Sequence, residues 1–240
     1  MIRTVPETGS TNTDLAARLS GGGGVLAEGE WLVADRQTAG KGRQGRTWFD
    51  GFGNFMGSTV VHLRPDDPPA ASLALLSGLA LHEVVAPLIP PPATALLKWP
   101  NDLMIGAAKL AGILLERVGD AVIVGIGVNL ANAPQVEGRQ TTSLAALGPA
   151  PDRDHFAENL ARQFGQELDR WRSFGLNLLV GRWLAAAHSL GTPLAVGEPG
   201  ETPIKGNFAG LTANGALQLR LADGTKRVIH AGEVRLAEGS

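Results

Sequence analysis

The chain has 240 residues, 44% hydrophobic and 18% charged, with a formal net charge of −2. That composition describes a globule with a sizeable core, in one large domain or a domain with a small appendage, and offers no global basic field for nucleic acid. The absence of cysteine excludes disulfides, thiolate metal sites and cysteine nucleophiles.

In chain order, MIRTVPETGS lacks the basic and apolar regions of a secretory signal. Ser10 and Thr11 suit the cap of a helix over about 12–19, with Asp14 near its positive end. Gly21 to Gly24 then read as a surface loop without chemistry. Strands are predicted at 31–35 (WLVAD) and 55–63 (FMGSTVVHL), and a helix over 70–87 closed by Pro90 to Pro92. The apolar segment 70–89 is interrupted by Ser72, Ser77, His82, Glu83 and Pro87, which argues against a membrane span. A cytoplasmic protein bound to neither membrane nor DNA is therefore expected.

Three strand-like runs follow at 94–99, 109–117 and 121–129, separated by a turn-rich PND segment and by Gly119-Asp120. Connections this short require antiparallel pairing. Asp152 or Asp154 is placed to cap a helix reaching about Trp171, with a second helix near 175–187. From Gly191 onward, short alternating runs are broken by Gly-Glu-Pro-Gly, Asn214-Gly215 and Asp223-Gly224. These predict a small all-β domain, a barrel.

Four cations, Arg36, Lys41, Arg43 and Arg46, fall within eleven residues, interleaved with Gly40, Gly42 and Gly45. Glycine lets backbone approach a ligand closely, and cations with exposed N–H groups stabilise an anion. Four like charges on one loop repel unless an anion binds, so the set reads as an anion site; any single member reads equally as a solvated cation. A Walker A loop is excluded, because Asp35 and Gly42 occupy its glycine and Ser/Thr positions. The literal G-x-G-x-x-G at 40–45 precedes RTWFDGFGNFMG, which cannot open the helix a dinucleotide fingerprint needs.

Lys98, Asp102 and Lys109 lie at the ends of adjacent strand-like runs. Phosphoryl transfer uses this mixture: cations for phosphates, and a carboxylate for Mg2+ or for deprotonating a nucleophile. Taken alone, strand-end lysines beside a turn aspartate are the plainer reading. Gly112 within an apolar strand signals close approach of ligand or backbone. In 125-GIGVN-129 two more glycines admit a ligand and Asn129 supplies an amide. The five histidines show no metal-ligand spacing. Trp171 and Trp183 read as core, and Trp48 as core or pocket wall. The residues alone lead to an anion- and nucleotide-binding enzyme with a metal-assisted site.

The ordered set GSTN, QTAGKGRQGRTW, KWPNDL, KLAGIL and GIGVN, over 9–129, resembles the biotin protein ligase family. The TPLAV…NGALQLRLADG…HAGEV run resembles that family's small C-terminal domain. The resemblance implies an α+β fold over 1–190: a mixed, mostly antiparallel sheet flanked by helices, related to class II aminoacyl-tRNA synthetases. A small SH3-like β-barrel over 191–240 is implied beside it. Biotin and ATP are the implied substrates and Mg2+ the implied cofactor. The product of activation is biotinyl-5′-AMP, and the acceptor is a lysine of a biotin carboxyl carrier protein.

Ser10, Thr11, Asn12, Gln37, Gly40, Arg43, Lys109, Gly112, Ile113 and Gly125 carry the implied biotin-binding roles. Lys41, Arg43, Arg46, Trp48, Lys98 and Asn129 carry those toward ATP and the adenylate. Lys109, Arg43, Asp102 and Lys98 are the implied catalytic set, with Lys109 bridging the biotin carboxylate and the α-phosphate and Asp102 also the candidate Mg2+ ligand. Glu233 in HAGEV matches the part of the small domain nearest the nucleotide. Lys41 stands where many members carry arginine and lacks its bidentate fork. Nine residues precede Ser10, where regulatory members carry a winged-helix module, so operator binding is not expected; a homodimer is left open. Two competing readings are a lipoate or octanoate ligase, against which KWPND and KLAGIL speak, and a non-catalytic biotin-binding regulator, which does not need Lys109 with the cationic loop.

Overall fold

The computed structural model describes residues 1–21, 26–197 and 202–237. Most of the four-glycine loop and residues 198–200 of the Gly-Glu-Pro-Gly turn lie outside the described residues. Seven strands form one sheet: β1 (Ile2–Thr8), β2 (Trp31–Gln37), β3 (Phe55–His62), β4 (Ala95–Lys98), β5 (Asp102–Ile105), β6 (Ala108–Val118) and β7 (Ala121–Val128). Their order is β1-β2-β3-β7-β6-β5-β4. Every pair is antiparallel except β1 with β2, whose parallel pairing uses helix α1 (Thr11–Ser20) as its crossover. The sheet is thus mixed and mostly antiparallel, as expected.

Two strands differ from expectation. The PND segment is a turn only as far as Asn101, because Asp102 opens β5, which inserts between β4 and β6. The runs at 94–99 and 109–117 are therefore not direct partners. The edge strand β1 was not predicted. It is mostly solvent-facing, so it lacks the apolar alternation that marks a half-buried strand, and Pro6 sits in it without a ladder partner.

Ala111, Ile113, Val124, Ile126, Val128 and Phe55 share one face of the sheet and form its main core with α2 (Leu73–Val85) and α3 (Arg153–Ala185). By length and composition the Ala70–Leu88 stretch is apolar enough to cross a membrane. Its apolar faces are instead taken up by α3, β4 and β6, the position of a core helix. Asp152 caps α3 by accepting from the N–H groups of Asp154 and His155. Gly175 breaks α3 with φ 68°, so the two predicted helices are two arms of one unit. Buried Glu167 on the first arm accepts from Arg182 on the second at 2.5 Å.

The opposite face carries a smaller core where α1 lies over Leu32, Val60 and Ile123. Toward β5 and β6 that face holds the cleft described below.

The C-terminal unit is an antiparallel SH3-like sheet: β8 (Pro193–Gly197), β9 (Ile204–Leu211), β10 (Leu217–Arg220), β11 (Lys226–Ile229) and β12 (Glu233–Leu236). Its order is β11-β10-β9-β8-β12, and the described ladders leave β11 and β12 as edges. Gly215 and Gly224 take φ of 79° and 83° in the two expected hairpins. The KRVIHAGEV run is two strands, divided where Gly232 adopts φ 139°. The unit is anchored to the first by Trp99 Nε1, which donates to Gly215 O at 3.0 Å, and by Lys98 Nζ, which donates to Val234 O at 3.0 Å.

Candidate functional site

A cleft of about 1420 Å3 opens between the sheet, the N-terminus of α1, loop 40–48, loop 134–141 and β12. Gly112, Gly125 and Gly127 lie on one sheet face and form its floor. They do not leave bare space. A Cβ on Gly125 would collide with the Asn12 amide, and one on Gly127 with the Trp48 indole, so these glycines admit side chains of the protein itself.

One end of the cleft is neutral and polar. Ser10 caps α1 by accepting from Thr13 N. The next orphan donor of the helix, Thr11 N, is satisfied by Gln37 Oε1 at 2.7 Å. Ser58, fully buried on β3, lies 2.6 Å from Thr11 Oγ1 and donates to Asn12 Oδ1 at 2.6 Å. Asn12 Nδ2 donates to Glu116 Oε2 at 2.6 Å.

The other end is charged. Asp102 Oδ1 lies 2.5 Å from Lys109 Nζ, and Oδ2 lies 2.9 Å from Lys98 Nζ. The two lysines come from β4 and β6, and the intervening β5 brings Asp102 between them. Burial acts to raise the Asp102 carboxyl, but the ammonium groups of Lys109 and Lys98 overcome it and hold it well below the usual carboxylate range. Lys109 is pushed below the usual lysine range by burial, which outweighs the attraction of Asp102; Lys98 and Arg139 add like-charge repulsion.

The cationic loop is a short hairpin in which Trp48 N donates to Gly40 O at 2.9 Å and Lys41 bridges Thr47. Arg43 Nη1 donates to Asn101 Oδ1 at 3.1 Å, tying the loop to the β4–β5 turn. Arg46 pairs with Glu233 of β12, which also accepts from Arg139 Nη2 at 2.5 Å. Burial acts to raise Glu233, and Arg46 first, then Arg139 and Arg235, hold it below its ordinary value. Arg36 does not join the cleft; it pairs with Asp50 at 3.0 Å and Glu7 at 3.4 Å. The repulsion expected among four cations is therefore reduced at source, since carboxylates neutralise Arg36 and Arg46. Lys41 and Arg43 remain as cleft cations without a carboxylate partner among the described residues.

The Trp48 ring lies on Gly112 and Gly127, with Lys109 Nζ 5.8 Å from its centroid. Its buried Nε1 has no partner among the described residues, nor does Oδ1 of Asn129, whose Nδ2 donates to Thr142 O at 3.0 Å. These two unmatched polar atoms in a closed part of the cleft mark where a polar ligand is expected.

The cleft thus gathers Ser10, Thr11, Asn12, Gln37, Lys41, Arg43, Arg46, Trp48, Lys98, Asp102, Lys109, Gly112, Gly125 and Asn129. Gly40 braces the loop through Trp48. Ile113 contributes backbone: its carbonyl accepts from Asn101 Nδ2 at 2.6 Å, while its side chain packs into the core toward Gly78. Sequence reasoning missed Ser58, Glu116 and Arg139. Strand alternation places Ser58 and Glu116 on the face of Gly125, a signal visible only once the register is known. The residues do not fit a resident Mg2+. Both Asp102 oxygens are engaged by ammonium groups and both Glu233 oxygens by guanidiniums, and no group of three or more His, Asp or Glu is placed to hold a metal among the described residues.

Fold and cleft define a two-ended site, cationic and suited to anions at one end, neutral and polar at the other. The biotin/lipoate A/B protein ligase family matches residues 8–130, and the biotin protein ligase C terminal domain matches 193–236. The biotin--[acetyl-CoA-carboxylase] ligase of Mycobacterium tuberculosis is 37% identical, covering 97% of this chain and 88% of that protein. Its namesake from Paracoccus denitrificans is 37% identical, covering 95% and 97%. The Aquifex aeolicus biotin protein ligase in complex with biotin and ATP is similar with a TM-score of 0.85 at 26% identity, covering 98% of this chain and 99% of that one. The chain belongs to the biotin protein ligase family.

Proposed function

We propose that this chain joins biotin to ATP as biotinyl-5′-AMP and transfers the biotinyl group to a lysine of a biotin carboxyl carrier protein. A biotin carboxylate oxygen bonds to the α-phosphorus and pyrophosphate leaves. The carrier amine then attacks the acyl carbon and AMP leaves. The observation that carries the reading is the Lys98–Asp102–Lys109 cluster at the cationic end of the cleft. Two anions approach only against a cation held between them, and Lys109 is buried where that cation is needed. Asp102, held strongly ionised, is a poor proton acceptor; its part is to fix the two ammonium groups in place. Thr11, Asn12 and Gln37 receive the ureido head, and Lys41, Arg43 and Arg46 face the phosphates. Trp48 and Asn129 face the nucleotide. We assign Mg2+ to the incoming nucleotide, as its complex, and no residue here as its ligand. ATP–pyrophosphate exchange with biotin, lipoate and octanoate side by side is the test. Exchange with biotin alone is expected, and equal or faster exchange with lipoate overturns the reading.

A further inference from the structure

The geometry points to Glu116 as the residue that sets the hydrogen-bonding polarity of the head pocket, with Ser58 transmitting it; this rests on the biotin reading above. Glu116 touches no part of the cleft. It acts through Asn12 and is a positioning residue.

The argument is a count of protons. An ionised carboxylate only accepts hydrogen bonds. Glu116 Oε2, 2.6 Å from the Asn12 amide, therefore fixes nitrogen toward itself and leaves oxygen toward Ser58. Ser58 has one proton, and it goes to Asn12 Oδ1. In the 2.6 Å contact between Thr11 Oγ1 and Ser58 Oγ, the donor must then be Thr11. Thr11 in turn has no proton left for Gln37 Oε1, 3.0 Å away, which is served by the Thr11 backbone N–H instead. The order of donors runs from Thr11 through Ser58 and Asn12 to Glu116.

The consequence lies in the cleft. Thr11 Oγ1 and Gln37 Oε1 lie 3.0 Å apart, close enough for Thr11 to donate, but with its one proton committed to the shorter Ser58 contact both oxygens present lone pairs. Two such oxygens repel until a donor is set against both. A ureido N–H is such a donor, whereas the dithiolane of lipoate and the alkyl end of octanoate carry none. The pocket's preference for an N–H thus originates at a carboxylate outside it. Without Glu116 the amide is free to turn, and Asn12 Nδ2 then donates to Ser58, Ser58 to Thr11 and Thr11 to Gln37. That reversed chain satisfies the two oxygens internally and removes the preference.

The test uses full-length protein in pyrophosphate exchange, with biotin and with biotin methylated on the ureido nitrogens. Wild type must first show biotin-dependent exchange; its absence sinks the functional reading itself, not this inference. Given that exchange, Glu116→Leu and Ser58→Ala are expected to raise KM for biotin about tenfold, the equivalent of one hydrogen bond at its upper value, with KM for ATP unmoved. Discrimination between biotin and its methylated form should shrink by about the same factor. Glu116→Gln, able to accept or donate, should fall between. Gly125→Ala, which displaces the Asn12 amide, should repeat the Glu116→Leu pattern. Thermal melts establish which variants are folded, and Ser58→Ala carries the test if Glu116→Leu is not. An unchanged discrimination ratio in the folded variants, or an equal loss toward both compounds, overturns the inference.

Discussion

Glu233 offers a sharp test of whether the small β-domain takes part in nucleotide binding. Its carboxylate joins Arg46 of the cationic loop to Arg139 of loop 134–141, so one side chain from the C-terminal unit ties both loops over the cleft. Glu233 is 10% exposed, but Arg46 and Arg139 are 37% and 32% exposed, and solvent screens both pairs. Pairs of this kind contribute about 0.5–1 kcal/mol each. Glu233→Ala should therefore weaken loop closure by about 1–2 kcal/mol, a factor of roughly 5–30. Steady-state exchange should show KM for ATP rising by that factor, while biotin affinity, set by Thr11, Asn12, Gln37 and Ser58 with Glu116 behind them, stays constant. Glu233→Gln should fall between. Raised salt should increase KM for ATP in wild type more than in Glu233→Ala, since it screens what the variant has already lost. An unchanged KM for ATP refutes the latch. So does a lowered one, which would mean the released guanidiniums bind phosphate better alone.

Lys109→Ala should reduce biotin-dependent exchange about 10²–10³-fold in a folded protein, the cost of one preorganised charge partner, and near-normal exchange removes it from the mechanism. Lys109 sits below the usual lysine range, so its cation is lost as pH rises; the alkaline limb of kcat/KM should fall below an ordinary lysine's pKa of about 10.4. Asp102 is shifted down, so its ionised form persists through mild acid, and no acidic limb from it is expected above about pH 4. Asp102→Asn leaves two buried ammonium groups without their counter-charge, and calorimetry should register a loss of about 3–5 kcal/mol. Arg43→Ala cuts the tie to Asn101, and rapid-filtration measurements should show faster escape of biotinyl-5′-AMP than from wild type.

Elements with a buried apolar face were legible in the sequence. β2, β3, β6, β7, α2 and both arms of α3 announce themselves by periodicity, and the Asn-Gly and Asp-Gly hairpins by turn chemistry. The exposed edge β1 and the four-residue β5 were not, because neither has enough alternating buried positions to signal. Within the site, Lys98, Asp102 and Lys109 were suspected from strand ends alone, and the unforeseen β5 is what brings them together. Arg36 misled because its partners, exposed Glu7 and half-buried Asp50, are carboxylates whose positions no local pattern reports. Ser58 and Glu116 stayed hidden for a different reason. A serine in one apolar strand and a glutamate near the end of another look ordinary until register sets both beside Asn12.

The anchoring of the C-terminal sheet has a consequence for biosynthesis. Ser10, Thr11, Asn12, Gln37 and Ser58, which line the head pocket, are translated before Lys98, Asp102 and Lys109. Val234, which accepts from Lys98, and Glu233, which accepts from Arg46, are almost the last lining residues translated. The head pocket itself waits for Glu116 and for Gly125 of β7, which seat Asn12, and the latch on the nucleotide side waits longer still, for Glu233. The nucleotide side is therefore the last part of the cleft to be completed as the polypeptide is made.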